Sequence, residues 1–273
     1  MGSRLATAWG QLRQLLATKP AKNTQAPYPK TRNVVLDILS EGRKKNTIQL
    51  LFEVDADAIR VQIGAKTSEN AISITSYVTS VLARTVAANP RMHAYRHKRR
   101  KLILFEDVDL SVMVEREVDG ELVPLPYVVR AANRKSLLAI DAELKRAKIA
   151  ALYGDGPLSA LEAQFFSLPR LLRKIVWYLA REDAHLFREL AGTVGVTSMG
   201  MHAEGRAIVV PITPMTLTLS IGTIGTRLEL ADGVPIERHF LQLNLSADHD
   251  IVDGAPLMRF AAMLRQNLES GAS

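Results

Sequence analysis

Two segments in which apolar and polar residues alternate constrain the fold of this chain most strongly. The strands predicted at 215–221 and 236–246 are built around TLTLSIG and HFLQLNLSA, which show the period of two that is typical of half-buried strands. Asp232-Gly233 lies between them and predicts a hairpin turn. A half-buried sheet needs a covering layer, so we expect helices against its apolar face.

Amphipathic segments supply that layer. The clearest helix ends at Asn89-Pro90 and carries its apolar side at helical spacing, on Ile74, Tyr77, Val78, Val81, Leu82, Thr85 and Val86. Asp119-Gly120 predicts a second hairpin. The remaining predicted elements are helices at 32–44, 135–151 and 256–268, and strands at 47–56, 102–106, 109–117, 193–197, 207–210 and 226–230. Together they predict a mixed α/β sandwich in one domain.

The sequence has no cysteine, which excludes a disulfide framework, a catalytic thiol and every cysteine-ligated metal site. This composition fits a reducing compartment, and we expect a cytoplasmic protein. No uninterrupted apolar run approaches the ~20 residues needed to cross a bilayer. The basic N-terminal segment also lacks the apolar block of a signal peptide, so we do not expect secretion.

The charge balance favours an anionic partner. With 35 basic and 28 acidic residues, the net charge of +7 would attract nucleic acid, anionic lipid or a phosphorylated cofactor such as coenzyme A. The densest basic run, Arg96–Lys101 beside Tyr95, is interpreted either as a solvated turn between a helix and a strand or as a phosphate or nucleic-acid patch. It lacks the interleaved aromatic residues of a single-strand binder, so we expect no nucleic-acid partner.

Two segments differ in character from the rest. Residues 1–30 form a basic arm, and the domain proper is expected over 31–273. Within it, 158–192 forms a helical insert rich in apolar, aromatic and basic residues. Three interpretations stay open for the insert: a helical pair packed on the domain's own core, a wall over a substrate channel or a partner contact, and a contact with an anionic membrane.

Chemistry-bearing residues cluster after the second alternating strand. Asp248, His249, Asp250 and Asp253 follow one another there, and Gly254 precedes the last predicted helix. A histidine at a strand end can act as a general base, because it titrates near neutrality. We expect the glycine to allow a tight turn. From residue types alone, the alternative is that Asp253 only caps the helix.

The pattern His-x-x-x-Asp-Gly resembles the acyltransferase signature that dihydrolipoamide acyltransferases of 2-oxoacid dehydrogenase complexes share with chloramphenicol acetyltransferase. The matching residues are His249, Asp253, Gly254, Ala255, Arg259 and Phe260. Four further segments match in the family's order: Ile74–Arg96, Asp119–Pro124, Asn133–Ser136 and Gly195–Gly200. The resemblance covers about 30–155 and 192–270, and it implies a chloramphenicol-acetyltransferase-like two-layer α/β sandwich, a mixed sheet with helices on one side.

The resemblance also implies roles for single residues. His249 falls on the catalytic histidine, Asp253 on the motif aspartate that holds the site's geometry, and Thr197, 52 residues before the histidine, on the oxyanion-stabilising hydroxyl. The alternative for Thr197 is a hydroxyl satisfied by its own backbone. In the family the histidine and the hydroxyl come from adjacent subunits, so a homotrimer is implied, alone or in a larger assembly of trimers.

Three departures from the family pattern qualify the function. Asp250 stands where the complex-forming enzymes have Arg, Ser198 stands where they have Asn, and neither a lipoyl domain nor a subunit-binding domain is recognisable. We expect an enzyme that transfers an acyl group between coenzyme A and a thiol or hydroxyl acceptor. The alternatives are acyl transfer in trans to a separate lipoyl-domain protein and a non-catalytic trimeric scaffold.

No metal is expected. The histidines outside the signature, His93, His97, His185, His202 and His239, show no metal-ligand spacing. Of these, His202 follows the Thr197 segment closely enough to line the site.

Overall fold

The computed structural model describes residues 24, 32–64, 71–98, 100–118, 121–149, 168–199 and 205–271. The chain divides into two units, Met1–Arg32 and Asn33–Ser273. The basic arm predicted at 1–30 lies outside the described residues except for Thr24, as do the first part of the insert and the turn Asp119-Gly120. Of the described residues, Thr24 and Arg32 belong to the first unit and all others to the second.

A six-stranded mixed sheet forms the centre of this unit. The described strands are β1 (Thr47–Asp55), β2 (Tyr95–His97), β3 (Lys101–Ile103), β4 (Leu110–Val118), β5 (Glu121–Val129), β6 (Val194–Ser198), β7 (Leu217–Ala231) and β8 (Val234–Asp248). The sheet order is β1-β8-β7-β6-β4-β5, and β2 and β3 form a separate ribbon. β6 runs parallel to both of its neighbours, and the other pairs are antiparallel. The two predicted hairpins are β4–β5 and β7–β8.

The β7–β8 hairpin is longer than predicted. Asp232 and Gly233 both have positive φ, at 52° and 78°, as a two-residue turn of this hand requires. The register shifts between Ile221 and Ile224, so one bulged strand replaces the two strands predicted at 215–221 and 226–230. The prediction of a strand at 207–210 is wrong. That stretch is irregular, and Ala207 bonds to Thr223 beside the bulge instead of joining a ladder.

Seven helices lie in the described part of the chain: α1 (Arg32–Gly42), α2 (Ala56–Ile63), α3 (Ile74–Ala87), α4 (Leu137–Ile149), α5 (Arg170–Glu182), α6 (Ala184–Ala191) and α7 (Gly254–Ser270). The prediction missed α2, which follows β1 without a loop. Asp55 ends the strand and caps this helix by accepting bonds from the backbone N–H groups of Asp57 and Ala58.

Helices α2, α3, α4 and α7 cover the apolar face of the sheet. Fully buried Leu219 and Leu245 of the central strands belong to the same core as Leu82 of α3 and Phe260 of α7. The Tyr77 hydroxyl donates a 2.9 Å hydrogen bond to the carbonyl oxygen of Leu268 and joins α3 to α7. The predicted mixed α/β architecture is therefore confirmed.

The unfolding free energy should depend on pH through His93. Its side chain is 1% exposed, and burial lowers its pKa from 6.5 to about 4, so it is neutral in the fold at pH 7. Between these two values the unfolded chain binds more protons, so stability present above pH 6.5 is lost as the pH falls towards 4, by about 3 kcal/mol. We expect His93→Gln to remove this part of the dependence in urea titrations at pH 7 and 4. An equal pH dependence in the variant would contradict the assignment, and the exposed His185→Gln is the control.

Candidate active site

The turn after β8 is built by the backbone and side chain of Asp248. Its carboxylate accepts a 3.1 Å bond from the N–H of Asp250, and its carbonyl oxygen accepts 3.0 Å bonds from the N–H groups of Ile251 and Val252. The N–H of His249 donates at 2.6 Å to the carbonyl oxygen of Asn46, just before β1. The backbone of His249 is therefore held from both sides.

His249 faces Asp253 across this turn. The ring Nδ1 lies 3.5 Å from Asp253 Oδ1, within ion-pair range, and the two side chains are 46% and 78% exposed. Asp253 occupies the N-cap position of α7, but its side chain makes no capping bond, so the capping alternative does not hold. Within the described residues, Nε2 of His249 makes no hydrogen bond and is available to take a proton.

The expectation that Gly254 is needed for a tight turn is wrong for this chain. Its φ is not positive, and a Cβ built at this position would meet nothing within 4 Å. The turn is instead held by the bonds that Asp248 accepts.

The negative charge of Asp250, at a position where the family pattern has a positive charge, is compensated by its neighbours. Its carboxylate accepts a 3.0 Å bond from Asn46 Nδ2 and a 2.7 Å bond from Arg96 Nη1. The bond from Asn46 foremost, with the charges of Arg96 and Lys45, holds the pKa of this carboxyl below its usual range. Asp250 thus ties the histidine turn to the residues before β1 and to β2.

The basic run has more structure than the predicted solvated turn. Tyr95–His97 forms β2 and pairs with Lys101–Ile103, and Lys98 adopts a left-handed conformation at the turn between them. Arg96 points its charge at Asp250 beside the candidate base. The sequence marks Arg96 only as part of a possible phosphate patch, and it does not mark Lys45 or Asn46, because no local pattern shows their distant pairing with the histidine turn.

Lys45 is expected to be a major stabilising residue of this turn. Its Nζ lies 2.6 Å from Asp248 Oδ2, and that carboxylate is only 2% exposed. Lys45→Met would leave a buried charge without its cation, and we expect a loss of about 3 kcal/mol in the free energy of unfolding. Lys44→Met is the matched control, since Lys44 pairs with Glu41 at the surface and should cost under ~1 kcal/mol. Equal losses in urea denaturation would contradict this ranking.

A cavity of about 540 Å³ opens beside the histidine turn. Asp248 and Asp250, the two neighbours of His249, line it together with the rings of Tyr95 and Trp177. Its basic lining residues are Lys44, Lys45, Arg96, Lys98 and Arg181, against the acidic Glu41, Glu182, Asp248 and Asp250. The cations exceed the carboxylates, so the cavity can receive an anionic group next to the histidine.

Thr197 lies on β6, on the face of the sheet opposite the main core. Within the described residues its hydroxyl makes no hydrogen bond, so the alternative of a backbone-satisfied threonine is not seen. Side chains alternate along a strand, and Ser198 accordingly faces the other way, where Thr75 of α3 donates to it at 3.1 Å. The change from Asn to Ser therefore does not alter the surface that Thr197 presents.

One chain does not bring His249 and Thr197 together. Thr197 is level with Ser220 and Asn244 across the sheet, two strands from β8, and His249 lies five residues further along that strand. Strand spacing and rise place the two residues about 20 Å apart. A site that uses both requires a second copy of the chain.

The insert packs on the domain through a second apolar cluster. Trp177 and Ala180 of α5 and Phe187 of α6 are buried there together with Tyr95 and Phe105. Its outer side exposes an apolar row at Leu171, Leu172, Ile175, Tyr178 and Leu179. The structure describes the insert only from residue 168 onward.

A buried carboxylate anchors α6 to the sheet. Arg188 Nε lies 2.8 Å and Arg130 Nη1 3.1 Å from Asp109, which is fully buried. Burial alone would raise the pKa of Asp109, but the bonds from Arg188, the Ala131 N–H and Arg130 outweigh it and lower the pKa.

In the described part of the chain, no helix is both long and apolar enough to span a membrane. Over the same residues, no group of three or more histidine or carboxylate side chains is arranged to hold a metal ion. His202 lies outside the described residues.

Comparison with known proteins agrees with this architecture. A model of the 2-oxoacid dehydrogenases acyltransferase catalytic domain matches residues 20–168 and 174–273. The dihydrolipoyllysine-residue acetyltransferase component of the pyruvate dehydrogenase complex of Rickettsia prowazekii is 22% identical over 73% of this chain. The chain spans 41% of that relative's length.

Two solved structures have a similar fold. The dihydrolipoamide acetyltransferase of Azotobacter vinelandii has a TM-score of 0.66 at 18% identity, covering 91% of this chain and 92% of its own. The cubic core of a pyruvate dehydrogenase multienzyme complex has a TM-score of 0.65 at 17% identity, covering 92% and 93%. These similarities confirm the predicted fold class. Because the family model matches nearly the whole chain, the protein belongs to the 2-oxoacid dehydrogenase acyltransferase family, by its catalytic domain.

Proposed function

We propose that the protein transfers an acyl group between coenzyme A and a thiol or hydroxyl acceptor, with His249 as general base and Thr197 as oxyanion donor. The observation that carries this proposal is the turn that fixes His249 with Nδ1 towards Asp253 and Nε2 unbonded. In the Azotobacter enzyme, a serine, a histidine and an asparagine have been studied for roles in catalysis, 52 and four residues apart. Thr197, His249 and Asp253 have the same spacing here.

The reaction then proceeds without a covalent enzyme intermediate. Nε2 of His249 removes the proton from the acceptor's thiol or hydroxyl as that atom attacks the thioester carbonyl carbon. The carbonyl oxygen becomes an oxyanion and accepts a hydrogen bond from the Thr197 hydroxyl. The tetrahedral intermediate collapses, the bond from carbon to the sulfur of coenzyme A breaks, and the imidazolium returns its proton to the departing thiolate. Asp253 positions the ring.

The site is completed by a second copy of the chain. The separation of about 20 Å between His249 and Thr197 supports sites shared between subunits, as in a trimer. A related catalytic domain forms a cubic core, which supports assemblies larger than one trimer. The proposed activity needs a second copy of the chain but not the larger assembly.

Coenzyme A is proposed to enter through the cavity beside the histidine turn. Most of the cations that line this cavity already contact carboxylates, as Lys45 does with Asp248 and Arg96 with Asp250. Lys98 is exposed and forms no ion pair within the described residues, so it is the cation best placed to meet a phosphate. The rings of Tyr95 and Trp177 offer apolar surface beside it.

A lipoyl group carried by another protein is the second candidate acceptor. The observation that favours it is the Rickettsia relative, which acetylates a dihydrolipoyllysine residue. The scaffold alternative is less favoured than the sequence indicated, because Arg96 compensates Asp250 and Ser198 faces away from the site.

The test is consumption of acyl-CoA by the purified protein, measured as coenzyme A formed and separated by chromatography, because transfer to a thiol acceptor releases no net free thiol. Dihydrolipoamide, a separately prepared dihydrolipoyl domain, small alcohols and amines would be offered as acceptors, and calorimetry would measure coenzyme A binding. Turnover with a thiol or hydroxyl acceptor supports the proposal, and the preferred acceptor separates its two forms. Turnover with amines alone would contradict the proposed acceptor class. A folded assembly that neither binds coenzyme A nor turns over would overturn it in favour of a scaffold.

A further inference from the structure

A partly open apolar cavity of about 320 Å³ lies against Thr197 on the side away from the main core. Its walls are Val35, Ile38 and Leu39 of α1, Met113 of β4, Trp177 of α5 and Leu190 of α6. Among the described residues, no charged side chain lines it. The cavity is therefore unsuited to a phosphate or a carboxylate and suited to hydrocarbon.

Its hydroxyl groups are those of Ser111, Thr197 and Thr218 on the sheet and of Thr213 in the segment before β7. The hydroxyls of Thr213 and Thr218 satisfy each other at 2.8 Å. The Thr197 hydroxyl has no such partner within the described residues and can donate to a ligand. Gly195 lets Thr218 pack closely against β6, because a Cβ there would lie 2.6 Å from Thr218 Oγ1.

We propose that this cavity binds the aliphatic chain of the transferred acyl group, with the thioester carbonyl at Thr197. At roughly 30 Å³ per atom-sized group, the cavity holds a chain of about ten heavy atoms or fewer. The enzyme then prefers acyl groups of about six to ten carbons over acetyl, because each buried methylene strengthens binding about fourfold until the cavity is full. This inference rests on the proposed function and names its substrate class.

The insert limits the length of the acyl chain that the cavity can hold. Trp177 and Leu190 form part of the wall, and both belong to helices that pack on the second apolar cluster. The bond from Arg188 to the buried carboxylate of Asp109 fixes α6 against the sheet. The wall is consequently a rigid part of the fold, so the cavity should have a sharp length limit.

The test varies chain length in two series of thioesters, from two to twelve carbons. One series is acyl-CoA, and the other is acyl-N-acetylcysteamine, which carries the same chain without the nucleotide. Binding is measured by calorimetry, and kcat/KM by chromatographic measurement of the coenzyme A or N-acetylcysteamine that is formed. We expect affinity to rise at least ~100-fold from two to eight carbons in both series and to level off or fall by twelve.

Val35→Trp is the variant that fills the cavity, and Leu36→Trp is its matched control. Val35 lines the cavity, whereas the neighbouring Leu36 is exposed and does not. We expect Val35→Trp to weaken binding of the eight-carbon ester at least tenfold and that of the acetyl ester much less, since a two-carbon chain fills little of the cavity. Leu36→Trp should match the wild type with both.

Two outcomes would overturn the inference. One is an affinity that does not change with chain length in either series, and the other is equal behaviour of Val35→Trp and Leu36→Trp. A length dependence in both series without turnover would support the cavity and reject the proposed reaction. Turnover with an affinity that does not depend on chain length would support the proposed reaction and reject the cavity. The failure of one claim can therefore be told from the failure of the other.

Discussion

His249→Ala is expected to lower kcat by ~10²–10⁴ while the KM for acyl-CoA changes little, since a positioned general base contributes on this scale. The ring is at the surface of the turn, 46% exposed, and its removal leaves the bonds of Asp248 to the turn intact. We therefore expect the variant to fold and assemble as the wild type does, and the loss to be chemical. Formation of coenzyme A from the preferred acyl-CoA, separated by chromatography, measures it.

His185→Ala is the control for this experiment. His185 is an exposed histidine on α6 that does not line the cavity beside the histidine turn, and its loss should leave kcat within about twofold. If His249→Ala keeps more than a tenth of the wild-type kcat, His249 is not the base.

Thr197→Val should lower kcat by ~10²–10³, because the hydroxyl that stabilises the oxyanion is lost while the shape is kept. Thr197→Ser retains the hydroxyl and should remain within about tenfold of the wild type. The larger effect is expected when subunits of the two inactive variants, His249→Ala and Thr197→Val, are mixed. Each inactive variant retains the residue that the other lacks, and the two residues are about 20 Å apart in one chain.

Subunits of His249→Ala and Thr197→Val, dissociated, mixed in equal amounts and reassembled, should therefore recover activity. In a cyclic trimer with one site per interface, about one quarter of the sites would combine an intact His249 with an intact Thr197. Reassembling each variant by itself is the control and should give no recovery. If the mixture also stays inactive after reassembly, the two residues act within one chain or not at all.

The sequence predicts those parts of the fold whose signal is local. The alternation in β7 and β8 and the spacing of Ile74 to Val86 in α3 each specify an element without reference to the rest. The bulge at Ile221–Ile224 breaks the alternation, so one strand is predicted as two. α2 is too short, and too close to β1, for its helical spacing to stand out.

The site is predictable only in part for a related reason. His249, Asp253 and Thr197 can be identified by their resemblance to a family pattern, which preserves spacing along the chain. Asn46 and Arg96 lie 204 and 154 residues from Asp250, and they reach it only because β1 pairs with β8 and β2 returns beside the turn. No local pattern encodes such pairings. Gly254 shows the opposite error, since a plausible backbone role suggested by its residue type is not used.

The 2.6 Å bond from His249 to Asn46 connects the candidate base to the edge strand of the sheet. Edge strands open more readily than central ones, because one side has no ladder partner. Catalytic competence should then follow the local opening of β1 rather than global unfolding. Amide exchange of β1, measured as temperature rises, should accelerate in step with the loss of activity while β7 remains protected. The protein would lose its catalytic turn first and its fold later.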